Sequence, residues 1–247
     1  MAVMDEFREE REALKNGTKK EKWNYFWYYY KWHVIISICV ILVVSSFVYQ
    51  LVTRKEIAFN AVMLNASPMT ESTEYKDTFA QYAGIDLEEN EIYFDTTIRI
   101  TEDSMDTYAS LEKLAVYTAA AELDAMITDL GSFQKYANSS TFYDLREILT
   151  EEQLNRYEPY FYYVDRKVVL EIEAANDALD SDYVPVYPDP TKPEEMSDPV
   201  PVGIYLTDNK GLTENFYFRG EGIAIGIYCN TTHLDTTLKF LEYTFSE

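Results

Sequence analysis

Four polar side chains follow apolar segments at points where an α/β protein could hold a ligand. Asn65 and Ser67 come directly after one β-rich apolar run, and Asp129 and Ser132 come after another. In an open α/β sheet, ligands gather at the carboxyl ends of strands, and free amides at the start of a helix can hold an anion. We therefore predict that these four residues face a ligand. The alternative is that Asp129 and Ser132 only cap the following helix.

Residues suited to catalysis or metal binding are scarce. Two Cys and two His make a Cys/His zinc site improbable, and Gly-x-Ser-x-Gly, His-Glu-x-x-His and phosphate-loop motifs are absent. His233 precedes the last helix, where we expect it to be exposed. Acids near position 103 could gather Ca²⁺, but without EF-hand spacing a solvated acidic surface is the preferred interpretation. We predict no enzymatic activity, no metal site and no cofactor.

A run of aromatic residues surrounds Pro159. Its members are Tyr157, Tyr160, Phe161, Tyr162 and Tyr163. Such rings can stack on sugars, but they serve more often as core or interface residues. The sequence beyond residue 52 contains no Trp, which further weakens a sugar-binding interpretation.

The segment 34–52 predicts a transmembrane helix. Its 19 residues carry no charge, and a helix of that length spans about 29 Å, close to the thickness of a hydrocarbon core. Residues 1–33 are then a cytoplasmic tail, because Lys is enriched on that side of the apolar segment. The aromatic residues at 23–32 are expected to form a belt at the membrane interface. Lipid attachment at Cys39 is a less favoured alternative, since Ile38 precedes it where a lipobox has a small residue.

The acidic excess lies entirely beyond this segment. Residues 53–247 contain 14 Lys+Arg and 37 Asp+Glu, a net charge of −23. A nucleic-acid partner is therefore excluded, because phosphate contacts need clustered cations. Cys229 is the single cysteine of this part and cannot form an internal disulfide, which suits a bacterial cell surface. We predict a single-pass protein of the cell membrane whose C-terminal domain is extracellular.

Strands and helices alternate through residues 53–247, which predicts a three-layer α/β domain with a largely parallel sheet. The expected strands are 57–64, 91–98, 123–128, 161–172 as one or two strands, 201–206 and 222–229. The run 222–229 is nearly all apolar, so it should be a central strand in the same sheet as 57–64.

Local signals place the helices and one long loop. Thr150 and Gln153 match a capping box. Other helices are expected to be capped by Thr70, by Asp103 or Ser104, and by Thr232. The helix after residue 104 is expected to face the sheet with Tyr108, Leu111 and Ala115. The acidic stretch 180–201 contains most of the prolines. We expect it to be the most mobile part of the domain, and its removal from 188 to 198 to cost little stability.

Two segments resemble bacterial extracellular solute-binding proteins. Residues 119–149 are similar to a family segment in which a strand with an acidic end leads into a helix and then "F-x-D-L". Residues 201–204 and 222–245 are similar to the family's returning strands and final helix. The resemblance implies a reduced, membrane-anchored form of one lobe.

Two functions are compatible with this resemblance. The first is a binding module for a small solute that serves a membrane transporter. The alternative is a ligand-free structural or interaction domain that docks on a membrane protein partner. A lined cleft at the strand ends would favour the first function, and a filled one the second.

Overall fold

A long N-terminal helix, α1 (Lys19–Val52), begins at a capping box. Thr18 Oγ1 accepts a hydrogen bond from the Glu21 backbone N–H, and a Glu21 carboxylate oxygen accepts one from the Thr18 N–H. Within α1, Tyr30–Val52 comprises 23 residues, and its most apolar stretch has a mean hydropathy of 2.5, so this segment is long and apolar enough to cross a membrane. This helix is consistent with a membrane anchor, and a signal sequence near the N-terminus has the same properties.

The computed structural model describes residues 18–69, 73–101, 105–179, 182–207 and 209–246. Two units, Met1–Arg54 and Lys55–Glu247, make up the chain. The second unit contains eight described strands: β1 (Glu56–Met63), β2 (Ala66–Pro68), β3 (Asn90–Asp95), β4 (Ala125–Thr128), β5 (Phe161–Asp165), β6 (Pro199–Tyr205), β7 (Phe216–Phe218) and β8 (Ala224–Ile227). Its described helices are α2 (Thr73–Ala83), α3 (Met105–Ala119), α4 (Leu130–Ala137), α5 (Leu145–Ile148), α6 (Glu151–Tyr157), α7 (Arg166–Asp177), α8 (Lys210–Asn215) and α9 (Leu234–Thr244).

Six strands form one mixed sheet in the order β3-β1-β4-β8-β6-β5, and β2 pairs with β7 separately. β1 is parallel to β3 and β4, whereas β8 is antiparallel to both β4 and β6, and β5 is antiparallel to β6. The expected α/β class is confirmed, and β1 and β8 share the sheet as predicted. The expectation of a largely parallel sheet is wrong, because β8 and β5 run against their neighbours.

Both faces of the sheet are covered by helices. Along β1, Phe59 and Met63 belong to one buried cluster with residues of α2 and α9, while Val62 belongs to a second cluster with residues of α3, α4 and α7. Successive strand residues point to opposite faces, so the sheet is the middle of three layers. All four residues of β8 are buried, as a central strand requires.

The segment predicted as one or two strands at 161–172 is a strand followed by a helix. β5 ends at Asp165, whose carboxylate accepts a hydrogen bond from the Lys167 backbone N–H (3.0 Å) and caps α7. Val169 then packs into the core. This cap and the burial of one helical face outweigh the strand preference of the Val168–Val169 pair, which misled the prediction.

The acidic proline-rich segment 182–198, named the strap below, contacts the sheet at several points. Asp165 accepts hydrogen bonds from the backbone N–H groups of Ser197 (2.7 Å) and Asp198 (3.1 Å). The Tyr163 N–H donates to the Pro190 carbonyl (3.0 Å), and Met196 is buried. β6 already begins at Pro199, so the loop is shorter than predicted. Residues 180 and 181 lie outside the described residues.

Helix α3 presents a different face to the sheet from the one expected. Tyr108 is 76% exposed, and Leu111 and Ala115 are also exposed, whereas Leu114 is buried. The helix is oriented by Ser110, whose hydroxyl oxygen accepts a hydrogen bond from the Arg99 N–H (3.2 Å). The prediction for these three side chains is therefore wrong. The caps expected at Thr70 and at Asp103 or Ser104 lie outside the described residues.

Candidate functional site

The predicted ligand-facing residues lie where the strand order changes direction. From β1 the chain crosses to β3 on one side, and from β3 it crosses to β4 on the other side of β1. Asn65 follows β1 and Asp129 follows β4, so both lie outside the carboxyl ends of adjacent parallel strands. This arrangement is the topological switch point at which α/β proteins gather ligands.

Direct hydrogen bonds connect Asn65 to the start of α4. Its Nδ2 donates to Ser132 Oγ (3.0 Å), and its Oδ1 accepts from the Ile100 N–H (2.7 Å). Asn65 itself has φ 60°, a left-handed conformation that asparagine tolerates better than most residues. Ser67 lies apart from these contacts and accepts a hydrogen bond from Arg99 Nη2 (3.2 Å). The structure thus brings Asn65 and Ser132 together and ties Ser67 to the neighbouring segment.

Two of the N-terminal amides of α4 donate hydrogen bonds to other groups of the chain. The Asp129 carboxylate accepts from the Ser132 N–H (3.0 Å), and the Leu130 N–H donates to the Glu221 carbonyl (3.2 Å). A Cβ atom at Gly220 would come within 2.6 Å of the Asp129 side chain, so only glycine allows this close approach. The contacts favour the capping alternative for Asp129 and Ser132, and ligand binding by these residues stays a prediction.

An open cleft of about 490 Å³ lies at the same ends of the strands as the switch point, beside β6. Thr128 at the end of β4 pairs with Ala224, which pairs with Tyr205 at the end of β6. The carboxyl end of β6 therefore faces the same way as the switch point. The cleft is lined by Tyr160, Tyr205, Leu206, Thr207, Asn209, Lys210, Thr244 and Phe245. The prediction missed it, because its walls come from three separate segments of the chain.

Some polar groups of the cleft are occupied by internal bonds. Asn209 Nδ2 donates to the Thr244 carbonyl, and Asn209 Oδ1 accepts from the Leu212 N–H (2.7 Å) as the cap of α8. Thr244 Oγ1 donates to the Leu241 carbonyl (2.7 Å). These bonds hold the turn before α8 against the end of α9, so the cleft has a fixed wall.

Tyr205 forms the wall nearest the strap. Burial, together with the neighbouring Asp189 carboxylate, raises the pKa of Tyr205 to about 12. Its ring packs on Tyr162, with the centroids 5.4 Å apart, and so belongs to the opposite face of the sheet from Leu206. The aromatic run around Pro159 divides between two roles, since Tyr157 and Tyr162 are core residues while Tyr160 is 45% exposed at the cleft.

A buried carboxylate lies at the opposite ends of the strands, directly before β4. Asp124 is fully buried and accepts hydrogen bonds from the Asn60 N–H (2.7 Å) and from the Thr231 hydroxyl. His233 Nδ1 lies 3.1 Å from Asp124 Oδ1. The expectation of a freely exposed His233 is wrong, since its side chain is only 33% exposed and contacts this carboxylate. It also occupies the N-cap position of α9 that was expected for Thr232, without a capping side-chain bond.

The described residues hold no group of three or more His, Cys, Asp or Glu side chains placed to bind a metal ion. Together these features define an α/β domain with a mixed six-stranded sheet and a cleft at the carboxyl ends of its strands. The described residues also include one apolar helix, α1, that could cross a membrane. Comparisons with protein-family models, with curated proteins and with solved structures found no match to this chain.

Proposed function

We propose that this chain is a membrane-anchored binding module that takes a small solute in the cleft beside β6. The cleft carries the proposal, because its volume of about 490 Å³ lies within the range of small-molecule sites and its position follows the strand-end rule. The resemblance to one lobe of a solute-binding protein supports the same function. In this proposal α1 anchors the chain with its N-terminus in the cytoplasm, and the domain delivers solute to a transporter outside the cell.

The ligand is placed in the cleft rather than at the switch point because of how the polar groups are used. Asn65, Asp129 and Ser132 bond to one another or to neighbouring backbone groups. A solute would have to break those bonds in order to bind there. The cleft needs no such rearrangement.

A thermal-shift screen of the full chain in lipid nanodiscs tests the proposal, using sugars, amino acids, small carboxylates and peptides. A ligand at 100 times its Kd adds about 2.7 kcal/mol to the free energy of unfolding, which corresponds to roughly 5–10 °C for a chain of this size. Thr207→Trp should abolish the shift, because an indole would fill the cleft.

Thr232→Trp is the matched control, since Thr232 is another exposed threonine and follows β8 at the opposite ends of the strands from the cleft. The control should keep the ligand-induced shift. A shift that survives Thr207→Trp, or the absence of any shift across the screen, would contradict the proposal.

A second function is favoured by a different observation, the exposed apolar face of α3. Tyr108 and Val116 are 76% and 57% exposed, and a membrane protein partner docked on α3 would cover them. A photo-crosslinking residue at position 108 should then capture one protein in intact membranes, while the same residue at Tyr217, which is 57% exposed, should not. Capture at 108 without any solute-induced shift would favour docking over solute binding.

A further inference from the structure

The polar groups that the cleft offers to a ligand are hydrogen-bond donors. Within the described part of the chain, the Lys210 ammonium group has neither an ion pair nor a hydrogen bond. Thr207 Oγ1 accepts from the Ile223 N–H (3.1 Å), so its own hydrogen is available to donate. These groups suit a ligand that carries acceptor oxygens.

Charge around the cleft differs from that of the rest of the domain. None of the described residues that line it is acidic, although residues 53–247 contain 37 Asp+Glu against 14 Lys+Arg. Asp189, the carboxylate near Tyr205, lies on the strap and is paired with Lys192 (3.7 Å). Among the described residues, the lining contributes one ammonium group and no carboxylate, which favours an anion that most of this acidic surface would repel.

Aromatic rings form the other side of the cleft. Tyr160 and Phe245 meet edge to face with their centroids 5.2 Å apart. Phe245 also packs on the buried Tyr157, at 4.8 Å between centroids, so its position is fixed by the core. A planar apolar group can stack against the exposed ring of Tyr160.

We propose that the cleft binds a small carboxylate that carries an aromatic ring, with Lys210 and Thr207 holding the carboxylate and with Tyr160 and Phe245 contacting the ring. This inference rests on the proposed function and gives that function a ligand class.

The experiment compares 4-fluorobenzoate with 4-fluorobenzamide, which have the same ring and differ in charge. Both are titrated against the full chain in nanodiscs by ¹⁹F NMR relaxation, with empty nanodiscs as the blank. The benzoate should bind about tenfold more tightly than the benzamide, because charge-assisted hydrogen bonds are roughly twice as strong as neutral ones.

Three variants separate the parts of the site. Lys210→Met should remove the preference for benzoate and leave benzamide affinity unchanged. Lys135→Met, at an exposed lysine of α4 outside the cleft, should behave like the wild type. Tyr160→Ala should weaken both probes by the same factor, because both lose the same ring contact.

Equal affinity for the two probes, a benzoate preference that survives Lys210→Met, or the failure of both probes to bind would each overturn this inference. None of these results decides the proposed function, which depends on whether Thr207→Trp abolishes the ligand-induced thermal shift.

Discussion

Replacing Asp165 with asparagine should release the strap from the end of β5. The carboxylate of this residue, which is 6% exposed, accepts hydrogen bonds from three backbone N–H groups, those of Lys167, Ser197 and Asp198. A hydrogen bond to a charged group contributes about 1 kcal/mol more than a neutral one. Loss of the charge across three such bonds should therefore lower the free energy of unfolding by about 3 kcal/mol.

The effect of Asp165→Asn should depend on pH. Burial disfavours the ionised carboxyl, but the three N–H donors outweigh burial and hold the pKa of Asp165 below its ordinary value. The contribution of Asp165 is then fully present above the unfolded-state pKa of about 4 and is lost as the pH falls through the folded-state pKa. Asparagine does not titrate, so the difference in the free energy of unfolding between wild type and variant should become smaller below about pH 4.

Urea unfolding of the full chain in nanodiscs, followed by pulse proteolysis at neutral and acidic pH, measures both effects. Asp77→Asn is the matched control, because Asp77 is an exposed aspartate on α2, and it should change stability by no more than about 0.5 kcal/mol. A variant as stable as the wild type at pH 7, or one whose deficit is unchanged in acid, would refute the argument that this carboxylate holds the strap.

Three further changes test other parts of the structure. Deleting residues 188–198 and closing the gap with a short Gly/Ser linker should lower the free energy of unfolding by about 3 kcal/mol or more, because buried Met196 and the strap's bonds to Asp165 are lost. Asp124→Asn should cost about 3 kcal/mol in the same assay, because it leaves buried donors and the His233 ring without their anionic partner. Protease added to intact cells should cleave the chain beyond residue 60 and spare its first 30 residues.

Each of these expectations has a clear contrary result. A deletion variant as stable as the wild type would show that the strap is the mobile loop predicted from the sequence. A neutral Asp124→Asn change would mean that the buried charge does not hold α9 to the sheet. Protection of the domain in intact cells would reverse the predicted orientation of α1.

Local signals in the sequence were sufficient for much of the fold. The all-apolar run that becomes β8 predicted a central strand, and the Thr150–Gln153 capping box is present at the start of α6. The failures occurred where distant contacts decide. Strand-forming residues at 168 and 169 became helical because Asp165 caps α7, and the contact between His233 and Asp124 joins positions that no local pattern connects.

The candidate site shows the same division. The strand-end rule led to Asn65 and Asp129 at the switch point, because each directly follows an apolar strand. It could not lead to the cleft, because Tyr160, Lys210 and Phe245 meet only after β5, α8 and α9 have packed together. The exposure of Tyr108 could not be predicted either, because the periodicity of an amphipathic helix identifies an apolar stripe but not the surface that covers it.

The position of β8 has a consequence for the order in which the domain can assemble. β8 lies between β4 and β6, yet residues 224–227 follow the other five strands of this sheet in the chain. Until they arrive, β3-β1-β4 and β6-β5 are two separate half-sheets, each with an unpaired edge. Loop closure over such long sequence separations slows folding. The domain should therefore acquire its stability in one late step of folding, when β8 joins the two halves.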